Sequence, residues 1–141
     1  QVRFAQHSLL TEGYALALPR KHRLAERDVI AAEELASEPM IARRQCEILA
    51  ETSRFFTARG VRPFFPARTS SEHLAMTYVK AGLGITIMPD SYSDPDIVRP
   101  KLEGFPAIRQ IGLIFADHVE KNEILASPMA QYLIKAVGFQ N

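Results

Sequence analysis

Two polar turns hold the side chains best suited to bind a small anion. The sequence RRQCE occupies residues 43–47, and TSSE occupies residues 69–72. Each turn follows a short apolar run and precedes a segment with helical spacing, which places it between the carboxyl end of a strand and the start of a helix. Such a turn offers unpaired backbone N–H groups, and Arg43 and Arg44 add guanidinium groups suited to a carboxylate. The same residues also fit ordinary helix caps beside solvated charged turns, so spacing alone leaves both interpretations open.

The single cysteine, Cys46, lies in the first of these turns. A helix N-terminus lowers the pKa of a thiol, which would make Cys46 reactive. The alternative, which we favour, is a small apolar residue at a helix start. An internal disulfide is impossible with one cysteine, and a reducing compartment is the simpler interpretation.

The sequence lacks the motifs of common catalytic and phosphate-binding sites. It contains no GxSxG, GxGxxG or GxxxxGK[ST] pattern. The GLG at residues 82–84 follows a helical segment and enters a strand, the reverse of the order that cradles phosphates. We expect Gly82 to end the helix and Gly84 to relieve a tight turn. The four histidines are scattered without ligand spacing, so we predict no metal, no cofactor and a binding protein rather than an enzyme.

The composition favours a soluble globular protein. The chain has 141 residues, of which 47% are hydrophobic and 23% charged, and its formal net charge is +1. That balance argues against a domain held mainly by nucleic-acid phosphates. No apolar stretch is long enough to span a bilayer, and the first residues lack a signal-peptide pattern. We therefore expect a cytoplasmic protein without a membrane partner.

Local signals divide the chain into alternating strands and helices. We predict strands at residues 14–18, 39–42, 84–89 and 111–116, and an extended segment at 64–68. We predict helices at residues 29–37, 46–59, 72–81 and from Ser127 onward, with a long loop over residues 90–106. Gly60 and Gly82 are expected to end helices, and Ser70 or Ser71 to cap one. This order predicts an α/β fold with a mainly parallel sheet.

Two helices show apolar faces at helical spacing. In the third helix the predicted face is Leu74, Tyr78 and Ala81. In the last helix the predicted face is Met129, Tyr132, Leu133 and Val137. Leaving so many apolar side chains in water is costly, so we expect this last face to pack on its own unit or on a neighbouring chain.

Four segments, taken in order, resemble the LysR-type transcriptional regulators. They are TEGYALALPRKHRLA, EELASEPMIARRQCE, SSEHLAMTYVKAGLGITIMPDSY and RQIGLIFAD with SPMAQYLIKAV. Arg23 replaces the proline that is usual in the first segment. The match from about Leu9 to Val137 implies the C-terminal effector-binding region, which has the fold of periplasmic binding proteins. It also implies that the DNA-binding helix-turn-helix and most of the first regulatory lobe are absent from this chain.

The resemblance implies a second regulatory lobe over about residues 12–108, and a strand and helix over about 109–141 that return to the first lobe. A small organic anion would then bind between the lobes and control transcription. The cleft residues implied are Glu12, Arg44, Gln45, Cys46, Glu47, Thr69 and Ser70.

The resemblance also implies partners for the chain. DNA would be bound only through the missing N-terminal domain, and the protein would be a homodimer or homotetramer. Helix 72–81 would face a partner subunit, or otherwise pack on its own sheet. A periplasmic solute-binding protein shares the fold and is the alternative function, whereas an enzyme on this scaffold lacks a nucleophile–base constellation.

Overall fold

The computed structural model describes residues 4–138 and divides them into two compact units. The first unit combines the two ends of the described chain, up to Glu12 and from Ile108 onward. The second unit is the continuous segment Gly13–Ala107. Within the described residues, no helix combines the length and apolar character that crossing a membrane requires.

Nine strands and four α-helices make up the described part of the chain. The strands are β1 (Ala5–Glu12), β2 (Tyr14–Pro19), β3 (Val29–Ile30), β4 (Pro39–Arg43), β5 (Phe64–Thr69), β6 (Thr86–Pro89), β7 (Ile97–Val98), β8 (Lys101–Leu102) and β9 (Arg109–Phe115). The helices are α1 (Leu49–Ala58), α2 (Glu72–Lys80), α3 (Lys121–Ala126) and α4 (Pro128–Gly138). A short 3-10 helix covers Ala32–Leu35.

The second unit is built around β2, which pairs antiparallel with both β6 and β7. β4 and β5 pair in parallel, and a parallel bridge between Met40 and Ile85 links them to the chain entering β6. β3 and β8 form a further parallel pair. The predicted α/β fold is confirmed, but its mainly parallel character holds only in part, because β2 forms antiparallel pairs on both sides.

Alternating side chains of the strands form two hydrophobic clusters, one against each of the two long helices of this unit. Leu16 and Leu18 pack in the cluster that contains Phe55 and Phe56 of α1. Ala17, between them in sequence, packs in the cluster that contains α2. This period of two is what a strand requires when both of its faces are covered.

The buried face of α2 differs from the predicted one. Ala75, Met76 and Val79 are buried in the cluster, whereas Leu74 is 39% exposed. Apolar residues occur on two neighbouring stripes of this helix, so helical spacing alone cannot select the stripe that faces the sheet.

Two further predictions of secondary structure are wrong. Residues 29–37 were expected to form one helix, but β3 and the 3-10 helix occupy them, because Val29 and Ile30 pair with β8. The predicted loop 90–106 contains β7 and β8. Arg99 organises this segment by donating hydrogen bonds to the carbonyl oxygens of Leu16, Met88 and Pro89 at 2.8–2.9 Å.

The first unit consists of an antiparallel β1–β9 pair together with α3 and α4. The register shifts between Ser8 and Leu10, which marks a bulge in β1. α4 buries Ala130 but leaves Met129 and Tyr132 71% and 72% exposed. Of the predicted apolar face, Leu133 is also exposed, so this unit does not cover the face by itself.

Candidate functional site

The parallel pairing of β4 and β5 brings the two polar turns to one edge of the sheet. Arg43 and Thr69, the last residues of the two strands, are register partners. The backbone N–H of Arg44 donates to the carbonyl oxygen of Thr69 at 2.8 Å. Residues 44–47 and residues 69–70 therefore lie side by side, and we call this group the strand-end site.

The first turn is longer than the sequence predicted, because α1 begins at Leu49 rather than at Cys46. Ile48 caps the helix without a side-chain hydrogen bond, and the Leu49 N–H donates to the Cys46 carbonyl at 3.1 Å. Arg44, Gln45 and Glu47 are exposed in this turn. Within the described residues the Arg44 side chain forms no ion pair, so its guanidinium faces solvent without a carboxylate partner.

The second turn caps α2 as predicted, with Ser71 as the capping residue. The Ser71 hydroxyl accepts the Leu74 N–H at 3.2 Å. Thr69 is buried, and its hydroxyl accepts the Ser71 N–H at 3.0 Å. Ser70 is exposed. Thr69 therefore shapes the turn, whereas Ser70 presents its hydroxyl to solvent.

A buried tyrosine fixes one side of the strand-end site. The Tyr14 hydroxyl donates to the Glu47 carboxylate at 2.5 Å, and the Tyr14 ring meets Phe105 edge-on at 6.4 Å between ring centres. Sequence reasoning missed this role because Tyr14 opens an apolar run, and its partner Glu47 lies 33 positions further along the chain.

Arg43, which the sequence offered together with Arg44 as a possible partner for an anion, lies next to the strand-end site and is already paired. Its guanidinium donates to the Ile87 carbonyl at 2.9 Å and to the Glu72 carboxylate at 3.2 Å. Only 13% of its side chain is exposed, compared with 58% for Glu72. Arg43 thus joins the end of β4 to the start of α2, and Arg44 is the arginine of this pair that faces solvent.

Glu12 belongs to the first unit, where it lies opposite Arg109 in the β1–β9 register. The Arg109 guanidinium donates to the Glu12 carboxylate at 2.8 Å from Nε, and its Nη2 lies 2.7 Å away. The Glu12 side chain is 5% exposed. The strand-end site thus comprises the other six predicted residues, all in the second unit.

Cys46 turns inward and lines a groove beneath α1. Burial raises the pKa of its thiol, and the neighbouring Glu47 acts in the same direction. Desolvation of the thiolate outweighs the nearby Arg43 charge, and the raised pKa favours the interpretation of Cys46 as a small apolar residue over that of a reactive thiol. The groove has a volume of about 670 Å³ and lies between α1 and strands β4 to β6.

A metal-binding arrangement is not found in the part of the chain that the structure describes. No three side chains of histidine, cysteine, aspartate or glutamate come together there in a manner suited to a metal ion. The chemistry available at the strand-end site is that of hydrogen-bonding side chains, one exposed guanidinium and the Glu47 carboxylate that Tyr14 holds.

Comparison with known proteins identifies related sequences and folds. The family model described as LysR substrate binding domain matches residues 2–126. No curated protein sequence gives a significant match to the chain. Three solved structures illustrate the similarity of fold.

The first is HinK, a LysR family transcriptional regulator from Pseudomonas aeruginosa, with 16% identity and a TM-score of 0.73 over 97% of this chain and 48% of HinK. The second is the regulatory domain of CcmR from Synechocystis PCC6803 in complex with 2-PG, with 15% identity and a TM-score of 0.71 over 97% of this chain and 66% of that domain. The third is the effector binding domain of QuiR in complex with shikimate, with 17% identity and a TM-score of 0.64 over 95% of this chain and 63% of that domain. The chain thus spans about half of HinK.

Proposed function

The chain belongs to the LysR substrate binding domain family, and from that premise we propose that it is the effector-sensing part of a bacterial transcriptional regulator. Its ligand is a small organic anion. Binding of that anion shifts the equilibrium between two arrangements of the regulator. The free energy of this shift equals the difference between the anion's binding free energies for the two arrangements. The family is one of regulators, which favours this function over a periplasmic solute-binding protein or an enzyme.

One observation carries the proposal for the ligand: the 2.8 Å hydrogen bond from the Arg44 N–H to the Thr69 carbonyl. This bond brings the backbone of Arg44, whose side chain is exposed, next to the turn that contains the exposed Ser70, at the carboxyl ends of two parallel strands. Ligands of open α/β sheets bind at such ends. Arg44 has no carboxylate partner in the described residues, so an incoming carboxylate would meet an uncompensated charge. The solved structures of CcmR with 2-PG and QuiR with shikimate support the general idea of a small-molecule effector.

We extend the proposal to the units themselves. The continuous segment Gly13–Ala107 serves as the second regulatory lobe, and the first unit contains the strand and helix that return to the first lobe. Glu12, on β1 of the first unit, is proposed as a further effector-binding residue. DNA is bound by an N-terminal helix-turn-helix of the same regulator, which acts in the cytoplasm.

The test is a thermal-shift screen of small carboxylates, shikimate included, followed by calorimetry with the compound that stabilises the protein most. At a hundred times its dissociation constant a ligand adds about 2.7 kcal/mol of stability. Arg44→Ala is expected to cost about 1.5–3 kcal/mol of binding free energy, the range for hydrogen bonds to charged groups. Arg44→Lys should recover only part of this, because an ammonium lacks the bidentate geometry.

Arg54→Ala is the matched control, because Arg54 is an exposed arginine of α1 that lies outside the strand-end site. Its affinity should equal that of the wild type. Unchanged affinity in both Arg44 variants would place the ligand elsewhere and contradict the proposed site.

We also propose that the protein is a homo-oligomer. The first unit leaves large apolar side chains in water, among them Ile108, Ile114, Met129 and Tyr132, each at least 68% exposed. Exposed apolar side chains of this size favour association. Sedimentation velocity should show a concentration-dependent dimer or tetramer, and a strict monomer at high micromolar concentration would contradict the proposal.

A further inference from the structure

The groove beneath α1 is a cavity of the second unit that the strand-end site does not use. Its volume of about 670 Å³ lies within the range of small-molecule sites, roughly 300–1,000 Å³. α1 packs on its sheet through Phe55 and Phe56, which are buried. Toward β5 the helix presents the short side chains of residues 50, 52, 53 and 57. Because these side chains are too short to fill the space above the edge strand, a groove remains there.

The walls of this groove are mostly apolar. The large apolar residues that line it include Ile48, Leu49, Phe56, Val61, Phe65 and Ile87. Burial of a hydrocarbon body against such walls strengthens binding by roughly fourfold for each methylene group. The walls therefore suit a ligand with an alkyl or aryl body.

The charged residues of the groove all have the same sign. They are Arg43, Arg62 and Arg68, and no aspartate or glutamate among residues 4–138 lines the groove. Arg43 is paired with Glu72, but Arg62 and Arg68 form no ion pair within the described residues. The Arg68 guanidinium lies 5.9 Å from the centre of the Phe65 ring, and both residues line the groove. An anionic head group would thus complement the groove.

We propose that this groove is a second binding site, specific for an organic anion with an apolar body, such as a medium-chain alkyl carboxylate. The hydrocarbon lies between α1 and β5, and the carboxylate pairs with Arg68. Of the residues in the strand-end site, only Cys46 lines the groove. The two sites are therefore separable by substitution, and the groove can bind its ligand whether or not the strand-end site takes one.

The test is calorimetric titration of the 141-residue chain with hexanoate, octanoate and decanoate, and with decanol, each below its aggregation concentration. Affinity is expected to rise about fourfold per added methylene, and decanoate should bind about tenfold more tightly than decanol. Arg68→Gln should remove that tenfold advantage of the acid and leave the affinity for decanol unchanged. Arg54→Gln, an exposed arginine of α1 that does not line the groove, is the matched control and should behave as the wild type.

Ser53→Leu and Thr57→Leu each place a larger side chain in the groove from an exposed position of α1. Each variant should lower the affinity for both decanoate and decanol at least tenfold. Far-UV circular dichroism establishes that each variant is folded. Affinity without dependence on chain length overturns the proposal. The proposal is also overturned if Arg44→Ala abolishes the binding of decanoate while Arg68→Gln leaves it intact. The carboxylate would then occupy the strand-end site.

Discussion

Replacement of Gly84 by alanine should weaken the link between the β4–β5 pair and the chain that enters β6. A Cβ atom at this position would lie 2.9 Å from the Pro39 carbonyl oxygen and 3.0 Å from Cδ1 of Ile41. The carbonyl cannot move aside freely, because it accepts the Ile85 N–H at 2.9 Å, and the Ile85 carbonyl accepts the Ile41 N–H at 2.8 Å. Relief of the clash therefore stretches both hydrogen bonds of the bridge between Met40 and Ile85.

The expected cost of Gly84→Ala combines two effects. Overpacking of a tight contact costs about 1–3 kcal/mol. Weakening of the two hydrogen bonds adds about 0.5–1.5 kcal/mol for each bond that is lost. The free energy of unfolding should thus fall by about 2–6 kcal/mol.

Gly82→Ala is the matched control, two residues away in the same turn. Gly82 has a φ of +78°, and a Cβ there would meet nothing within 4 Å. Its substitution therefore carries only the cost of a left-handed backbone, about 1–2 kcal/mol. Urea unfolding followed by far-UV circular dichroism measures both variants. The steric reasoning is refuted if Gly84→Ala destabilises the chain less than Gly82→Ala.

Three further predictions concern individual side chains. Because burial raises the pKa of Cys46, its alkylation by iodoacetamide should be slower than in the urea-unfolded chain. The alkylation rate should increase with pH through an inflection above the ordinary pKa of 9.0, and an inflection below that value would contradict this prediction. Ser71→Ala removes the cap of α2 and should cost about 1 kcal/mol in urea unfolding, whereas Ser70→Ala should cost much less, and equal costs would contradict the assignment of the cap. The hydrogen bond from Lys80 lowers the pKa of Asp94 in the folded chain below its ordinary 3.8. The stabilisation of the folded chain by this pair is therefore present above pH 3.8 and is lost as the pH falls through the lower pKa of the folded state. Asp94→Asn should therefore flatten the acid side of the curve of unfolding free energy against pH, and an unchanged curve would contradict the pairing.

The sequence predicted those elements whose signals are local. β2 appears as an apolar run closed by Pro19, and Ser71, Gly60 and Gly82 mark helix ends by their own chemistry. β3 and β8 were missed because each has only two residues and exists through its pairing with the other, some seventy positions away along the chain. No local pattern records such a pairing.

The parts of the candidate site that have local signals could also be predicted, whereas its contacts between distant residues could not. The two turns could be recognised because each contains polar residues between a strand and a helix. The hydrogen bond from Tyr14 to Glu47 spans 33 positions, and that from Arg43 to Ile87 spans 44. The start of α1 at Leu49, three residues later than predicted, leaves Cys46 in the turn before the helix, where burial raises the pKa of its thiol.

The division of the chain into units has a consequence for the construction of chimaeras. Glu12 and Arg109 are register partners on β1 and β9, and everything in the second unit lies between them as one continuous segment. A gene segment encoding Gly13–Ala107 can therefore be exchanged for that of a relative at two junctions, while the β1–β9 hydrogen bonds persist outside both. One such exchange transfers the groove and the strand-end site together, so the two sites can be transplanted into a regulator with a known promoter and assayed there by transcription of a reporter.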